Sequence, residues 1–301
     1  VLHYTAIFDG YGFGFEYADP KFVAKRNNLR TFQSHPKWKT KPGTYSDDTQ
    51  MQVALAELML RQPLPSTWSL GDIAQSFLST FRRDPRKGYA GAFYDFLARV
   101  QTPAEFLKGI RPYSDKSGAA MRAPVLGLLK EEQGVIDAAY LQGCLTHATR
   151  AGLEAAAASA LLTHYTYHHI GPKADAGAYI EELIPGWGWA DGWVTPIQEK
   201  GFQHVRAAIG AIQRYDSASA ILKHIVSLTG DVDTSAAIAA PAVFFCSEIE
   251  NDIPDTLSRC AENGDYGYDY LKNLGEALIS KFPSKWTGVG EEDLIGELFG
   301  A

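Results

Sequence analysis

Apolar residues recur at helical spacing through almost the whole chain, which leaves little room for a sheet. After Asp48, the positions Met51, Ala54, Leu55 and Leu58 fall at i, i+3, i+4 and i+7, the stripe of an amphipathic helix. The same period predicts helices near 70–83, 87–100, 103–110, 118–131, 134–148 and 150–169. It predicts others near 174–183, 202–214, 216–228, 234–249, 265–281 and 290–299. The run GLEAAAASALLTHY, Gly152 to Tyr165, is nearly pure helix former, with the small side chains expected where helices pack closely. Strand-like alternation is scarce and no βαβ spacing appears. No Pro/Gly/Ser linker divides the 301 residues. The expectation is an all-α, compact single-domain helical bundle over residues 1–301. The segment PGWGWADGWVTP, Pro185 to Pro196, is punctuated throughout by Gly and Pro and must be a loop. Its three tryptophans are expected to pin that loop to the core.

Composition narrows the partners. A net charge of −7 argues against a nucleic-acid surface, which needs clustered Lys and Arg. The longest near-apolar run, Ala236 to Cys246, is too short to span a bilayer and contains Pro241. No charged segment followed by an apolar stretch opens the chain. Cys144, Cys246 and Cys260 are widely spaced in apolar settings, which reads as buried, reduced thiols in a cytoplasmic protein. A monomer is expected.

Two acidic clusters carry the chemistry. The first is TYSDDTQM, Thr44 to Met51, where Asp47 and Asp48 stand side by side at a helix start. Aspartates suit that place as caps and as charges facing the positive end of the helix dipole. The second is TGDVDTSAAIAA, Thr229 to Ala240, in which Gly230 stops one helix and Asp231 to Thr234 cap the next. Asp231 and Asp233 are two apart, so on a regular helix they would diverge by about 200°. They converge only on a turn at a helix end. Each cluster therefore joins paired carboxylates and a hydroxyl to an apolar helix. Such oxygen ligands suit Mg²⁺ or Mn²⁺, and two facing clusters suit a binuclear site. The competing explanation is two unrelated helix caps.

YSDDTQM and GDVDTSAAIA resemble the two signature motifs of the ADP-ribosylglycohydrolase family. The opening FDGYGFGFEY resembles a third family segment, with Asp9, Gly12 and Glu16 in register. SGAAMRAPVLGLL from Ser117, and LTHATRAGLEAAAASALL with His147, resemble two more. The five segments stand in family order. Several positions depart from the pattern: Ser46 for Thr, Val232 for Thr, Thr229 for Gly, Ser117 for Asn. Pro241, inside the late helix, should kink it. No acidic position is lost.

The resemblance implies a metal-dependent hydrolase that releases ADP-ribose from a modified protein side chain or a small molecule. It implies two Mg²⁺ or Mn²⁺ ions, one held by Ser46, Asp47, Asp48 and Asp233, the other by Asp231, Asp233 and Thr234. Glu16 is the implied acid/base residue, with Asp48 also catalytic. Ser117, Gly118, Ala119, Ala120 and Met121 would seat the diphosphate at a helix start, and His147 would lie near the nucleotide ribose. An acidic mouth containing Glu16 and Asp9 favours an arginine linkage over serine. Two alternatives stand beside this reading. One is an inactive, crystallin-like relative that only binds ADP-ribose. The other is a glycosyltransferase whose DVD follows an apolar strand at ILKHIVSL. The histidines of HYTYHH, His164 to His169, lack the acidic partner of a zinc helix. The glycines at 10, 12 and 14 do not match a dinucleotide fingerprint.

Overall fold

The computed structural model describes residues 1–285, so the helix expected near 290–299 lies outside the described residues. These form fifteen α-helices and no named strand. In chain order they are α1 Leu2–Phe13, α2 Pro20–Arg26, α3 Asp47–Arg61, α4 Leu70–Arg83 and α5 Gly91–Arg99. Next come α6 Pro103–Gly109, α7 Gly118–Arg122, α8 Glu132–Cys144, α9 Arg150–Tyr167 and α10 Ala176–Leu183. The last are α11 Gly201–Arg214, α12 Ala218–Ser227, α13 Val232–Phe245, α14 Asp255–Cys260 and α15 Tyr268–Lys281. The all-α expectation is correct. A glycosyltransferase sheet is excluded, because ILKHIVSL lies in and just beyond α12 rather than on a strand.

The core sits around α1, α9 and α13. α1 packs along α13, and α13 packs in turn on α9 and α11. Ala155 to Ala158 on α9 and Ala236, Ala237, Ala239 and Ala240 on α13 are all buried. Small side chains bring these axes close. All twelve residues of α1 are buried, so this helix has no solvent face.

Two prolines shape helices in different ways. The single helix expected over 118–131 is instead the short α7 followed by a 3₁₀ turn, Ala123–Leu128. Pro124 supplies no N–H there, and the chain tightens. Pro241 leaves α13 running through to Phe245. Its missing N–H would free the Ala237 carbonyl, four residues back, and that oxygen accepts the Gln52 side-chain amide of α3 at 3.2 Å. A lost helix bond is thus replaced by a bond between helices.

The tryptophan loop holds one 3₁₀ turn, Trp189–Asp191. Trp189 is fully buried and donates to the Ile184 carbonyl at 2.7 Å, and Trp187 donates to Glu154 and lies against Phe202. The cysteines depart from expectation. All three are free thiols, but only Cys246 is buried; Cys144 is half-buried and Cys260 exposed. Both exceptions lie at helix ends, where an apolar neighbourhood in sequence does not ensure burial. No described helix is long and apolar enough to cross a membrane.

Candidate metal centre and active site

The aspartates of the first cluster are not the caps of their helix. Ser46 is the N-cap of α3, and its Oγ accepts the Asp48 amide at 3.1 Å. A second cap comes from another element. Asp9 of α1, fully buried, accepts the Ser46 amide at 3.1 and 3.0 Å, the Thr49 amide at 3.1 Å and the Thr49 hydroxyl at 2.5 Å. The first-turn donors are satisfied without the Asp47 and Asp48 carboxylates, which are left for another task.

The second cluster is built on a tight turn. Thr229 and Gly230 both have left-handed φ, 64° and 89°. The turn is tied on both sides: Ile197 exchanges backbone bonds with Thr229 and Asp231, and the Gly230 carbonyl accepts the Tyr17 amide at 2.8 Å. A β-carbon on Gly230 would fall 1.9 Å from the Ile197 oxygen, so only glycine fits. Asp231 is the N-cap residue of α13, yet its side chain makes no capping bond. The capping expected of it in sequence does not occur, and its carboxylate is free to point elsewhere.

The two clusters meet. Oxygens of Asp9, Asp48 and Asp233 lie within 4.8 Å of one another, and so do oxygens of Glu16, Asp231 and Asp233. Asp233 belongs to both groups. Thr234 donates to Asp48 Oδ1 at 3.0 Å across the junction, and Ser46 Oγ donates to Asp48 Oδ2 at 3.0 Å. Asp47 stands outside both groups of three; its amide bonds the Lys87 carbonyl, and its Oδ1 faces Gly88. Asp9 is buried beneath the site and spends its lone pairs on α3. The acidic mouth expected from Asp9 and Glu16 is therefore reduced to Glu16.

This concentration of charge is costly. Two like charges about 4 Å apart repel by ~4 kcal/mol at the effective dielectric of a protein. Burial, then the charges of Asp47, Asp9 and Asp231, holds Asp48 well above the usual carboxylate range. Burial, then Glu16, Asp231 and Asp48, does the same to Asp233. Burial pushes Asp9 up to about 6 against the pull of its bonds from Thr49 and Ser46. The Asp233 Oδ1 atom is buried with no hydrogen-bond partner. A buried aspartate that belongs to two acidic groups and has an unpaired oxygen fits divalent cations, which would neutralise the repulsion and offer that oxygen a partner.

The segment expected to seat phosphate is only partly accessible. Ser117 and Gly118 are half-buried, whereas Ala119, Ala120 and Met121 are buried. His147 packs directly on Gly118: a β-carbon there would come within 2.9 Å of the imidazole Cε1. Behind them Arg122, 1% exposed, donates to the Gly118 carbonyl at 2.8 Å and to Thr146 Oγ1 at 2.8 Å. Thr146 Oγ1 is 2.7 Å from His147 Nδ1. Burial, then the Arg122 charge, lowers the His147 pKa to about 3.

A model of the family described as ADP-ribosylglycohydrolase matches residues 5–287. The chain belongs to the ADP-ribosylglycohydrolase family. Among characterised relatives, it is 31% identical over 132 residues to ADP-ribosylhydrolase ARH3 of Xenopus tropicalis. That match covers 40% of this chain and 36% of the relative's length. Among solved structures, an "ADP-ribosylglycohydrolase-related protein complex" superposes with a TM-score of 0.66 at 21% identity, over 93% of this chain and 97% of that one. At that identity the likeness is one of fold.

Within this family member, three supporting residues have no signature in the motifs. Gln52, fully buried, donates to the Met121 carbonyl at 2.9 Å as well as to Ala237, so one side chain ties α3, α7 and α13 together. It lies one turn after Asp48, the only hint that sequence offers. His204 of α11 bonds Ser235 Oγ at 3.0 Å and approaches Asp231 at 3.5 Å. His35 sits 2.6 Å from Glu16, on a stretch with no periodicity to mark it. The histidines of HYTYHH are structural: His164 and His168 bond the Gly127 and Leu129 carbonyls.

Proposed function

We propose that this chain hydrolyses the glycosidic bond joining ADP-ribose to a modified side chain, with a requirement for a divalent cation. The observation that carries the reading is buried Asp233, shared by two acidic groups and left with an unpaired oxygen. Asp48, Asp231 and Asp233 would hold Mg²⁺ or Mn²⁺, with the hydroxyls of Ser46 and Thr234 and the Asp47 carboxylate beside them. Such ions would supply positive charge to offset the carboxylates and orient the ribose hydroxyls.

The chain's own residues supply the rest. In the hydrolysis, a water oxygen forms a bond to the ribose anomeric carbon while the bond to the side chain breaks. The water loses one proton and the departing group gains one. Glu16 is the acid/base residue best placed to handle that proton. Burial, opposed by the bond from His35 and reinforced by Asp231, raises its pKa above the ordinary carboxylate value, the tuning that proton transfer near neutrality uses. The remaining carboxylates stabilise the positive charge that develops on the ribose. Ser117 and Gly118, the half-buried part of the Ser117–Met121 segment, would meet the diphosphate, with the His147 imidazole beside them. Glu16 at the rim favours a guanidinium leaving group through charge-assisted hydrogen bonds, hence an arginine linkage over serine.

The test is ADP-ribose release from arginine-linked and serine-linked peptides, each with and without Mg²⁺. Full turnover in excess EDTA would reject the metal requirement. Faster serine cleavage, with Glu16→Ala slowing both substrates alike, would reject the linkage preference.

A further inference from the structure

Glu16 occupies an unfavourable position. It follows the end of α1, partly exposed, with Tyr17 after it at a left-handed φ of 48°. Its carboxylate stands within 4.8 Å of oxygens of Asp231 and Asp233. A partly exposed glutamate just past a helix end can rotate outward into water. One strong contact opposes that motion. His35 Nε2 meets Glu16 Oε2 at 2.6 Å.

His35 is itself fixed from three sides. Its Nδ1 accepts the backbone amides of Lys37 at 3.0 Å and Trp38 at 3.2 Å. A nitrogen accepting two amide hydrogens carries no proton, so the ring hydrogen is on Nε2 and points at Glu16. The ring packs against Trp38, with centroids 4.2 Å apart, and Phe13, at 4.6 Å, in a three-ring cluster. It is 4% exposed. The side chain can neither flip nor withdraw without breaking these contacts, so the donor is held where Glu16 needs it.

We infer that His35 is a positioning residue for the reaction: its Nε2–H holds the Glu16 carboxylate turned toward Asp231 and Asp233. The inference deepens the functional reading above and rests on Glu16 being its acid/base group. An ordinary structural histidine would bond a backbone carbonyl, as His164 and His168 do. His35 instead uses its one donor on a carboxylate of the acidic cluster.

The test uses His35→Phe, which keeps an aromatic ring in the stack and removes the donor, and His35→Gln, which restores an N–H donor. Crystal structures would show Glu16 rotated away from Asp231 and Asp233 in His35→Phe and returned in His35→Gln. With metal and substrate, His35→Phe should lower kcat about tenfold to a hundredfold, with KM changed less than about threefold and recovery in His35→Gln. Combined with Glu16→Gln, it should add no further loss, as expected for two residues acting as one unit. Glu16 staying in place in His35→Phe would overturn the inference whatever the activity. So would losses that multiply in the double variant. If Glu16→Gln turns over as fast as wild type, the functional reading of Glu16 fails, while a Glu16 that rotates in His35→Phe still upholds the positioning contact.

Discussion

Gly12 of α1 lies directly against Asp233 of α13: a β-carbon on Gly12 would sit 2.6 Å from Asp233 Cα and 3.0 Å from its amide nitrogen. Both are backbone atoms of a buried helix start, so neither can step aside. Gly12→Ala should therefore push α13 off α1, at about 1–3 kcal/mol of stability, and displace the carboxylate shared by both acidic groups. Thermal unfolding with and without Mg²⁺ checks this. A normal melting temperature, with an unchanged rise on adding Mg²⁺, would show that the contact is slack.

Removing the shared charge should have effects of opposite sign in two buffers. Asp233→Asn deletes a buried negative charge that has no hydrogen-bond partner on one oxygen. In metal-free buffer the variant should match or exceed wild-type stability, because repulsion falls. In millimolar Mg²⁺ it should lose the ligand-linked gain that wild type shows. Urea titrations in EDTA and in Mg²⁺ separate the cases. Destabilisation in EDTA would mean that Asp233 is paired in a way that offsets its burial.

Gln52 should be worth more than an ordinary buried polar residue. Gln52→Leu keeps the volume roughly constant but leaves the Met121 and Ala237 carbonyls unpaired, at about 1–3 kcal/mol each. Pro241→Ala in the same background should recover part of the loss, because a new helix N–H can then reach Ala237. Chemical denaturation of the single and double variants tests that coupling; equal losses with and without Pro241 would refute it.

His147 should make stability fall with acid. Its pKa is about 3 in the folded chain and about 6.5 when unfolded. Between those values the unfolded state binds a proton that the folded state does not, so stability is lost as pH falls. From pH 7 to pH 5 the advantage of wild type over His147→Asn should shrink by about 2 kcal/mol. Taking the difference in saturating Mg²⁺ reduces the contribution of the acidic cluster, whose raised values act in the opposite direction. A pH-independent difference would show that His147 titrates normally.

Local chemistry made part of this site readable in sequence. Paired aspartates, hydroxyl neighbours and apolar helices pointed to two helix starts, and α3 and α13 begin there. α1 was not readable by period. Every one of its residues is buried, so no polar face alternates with an apolar one. α2 and α14 span only seven and six residues, under two turns, too short for a stripe. Asp9 was legible by motif register but not by role, since its partners lie 37 and 40 residues away. The pairing of His35 with Glu16 has no local signal at all: it depends on an irregular stretch folding back onto the end of α1.

The hydrogen bond from Thr234 to Asp48 closes a span of 186 residues. Each side of that span therefore carries only part of the carboxylate cluster, Asp9, Glu16 and Asp48 on one side and Asp231 and Asp233 on the other. Cation affinity then becomes a gauge of whether the two sides are docked. A chain nicked between α3 and α13 would keep that affinity only while its fragments stay together, so metal titration could follow fragment complementation directly, without a substrate.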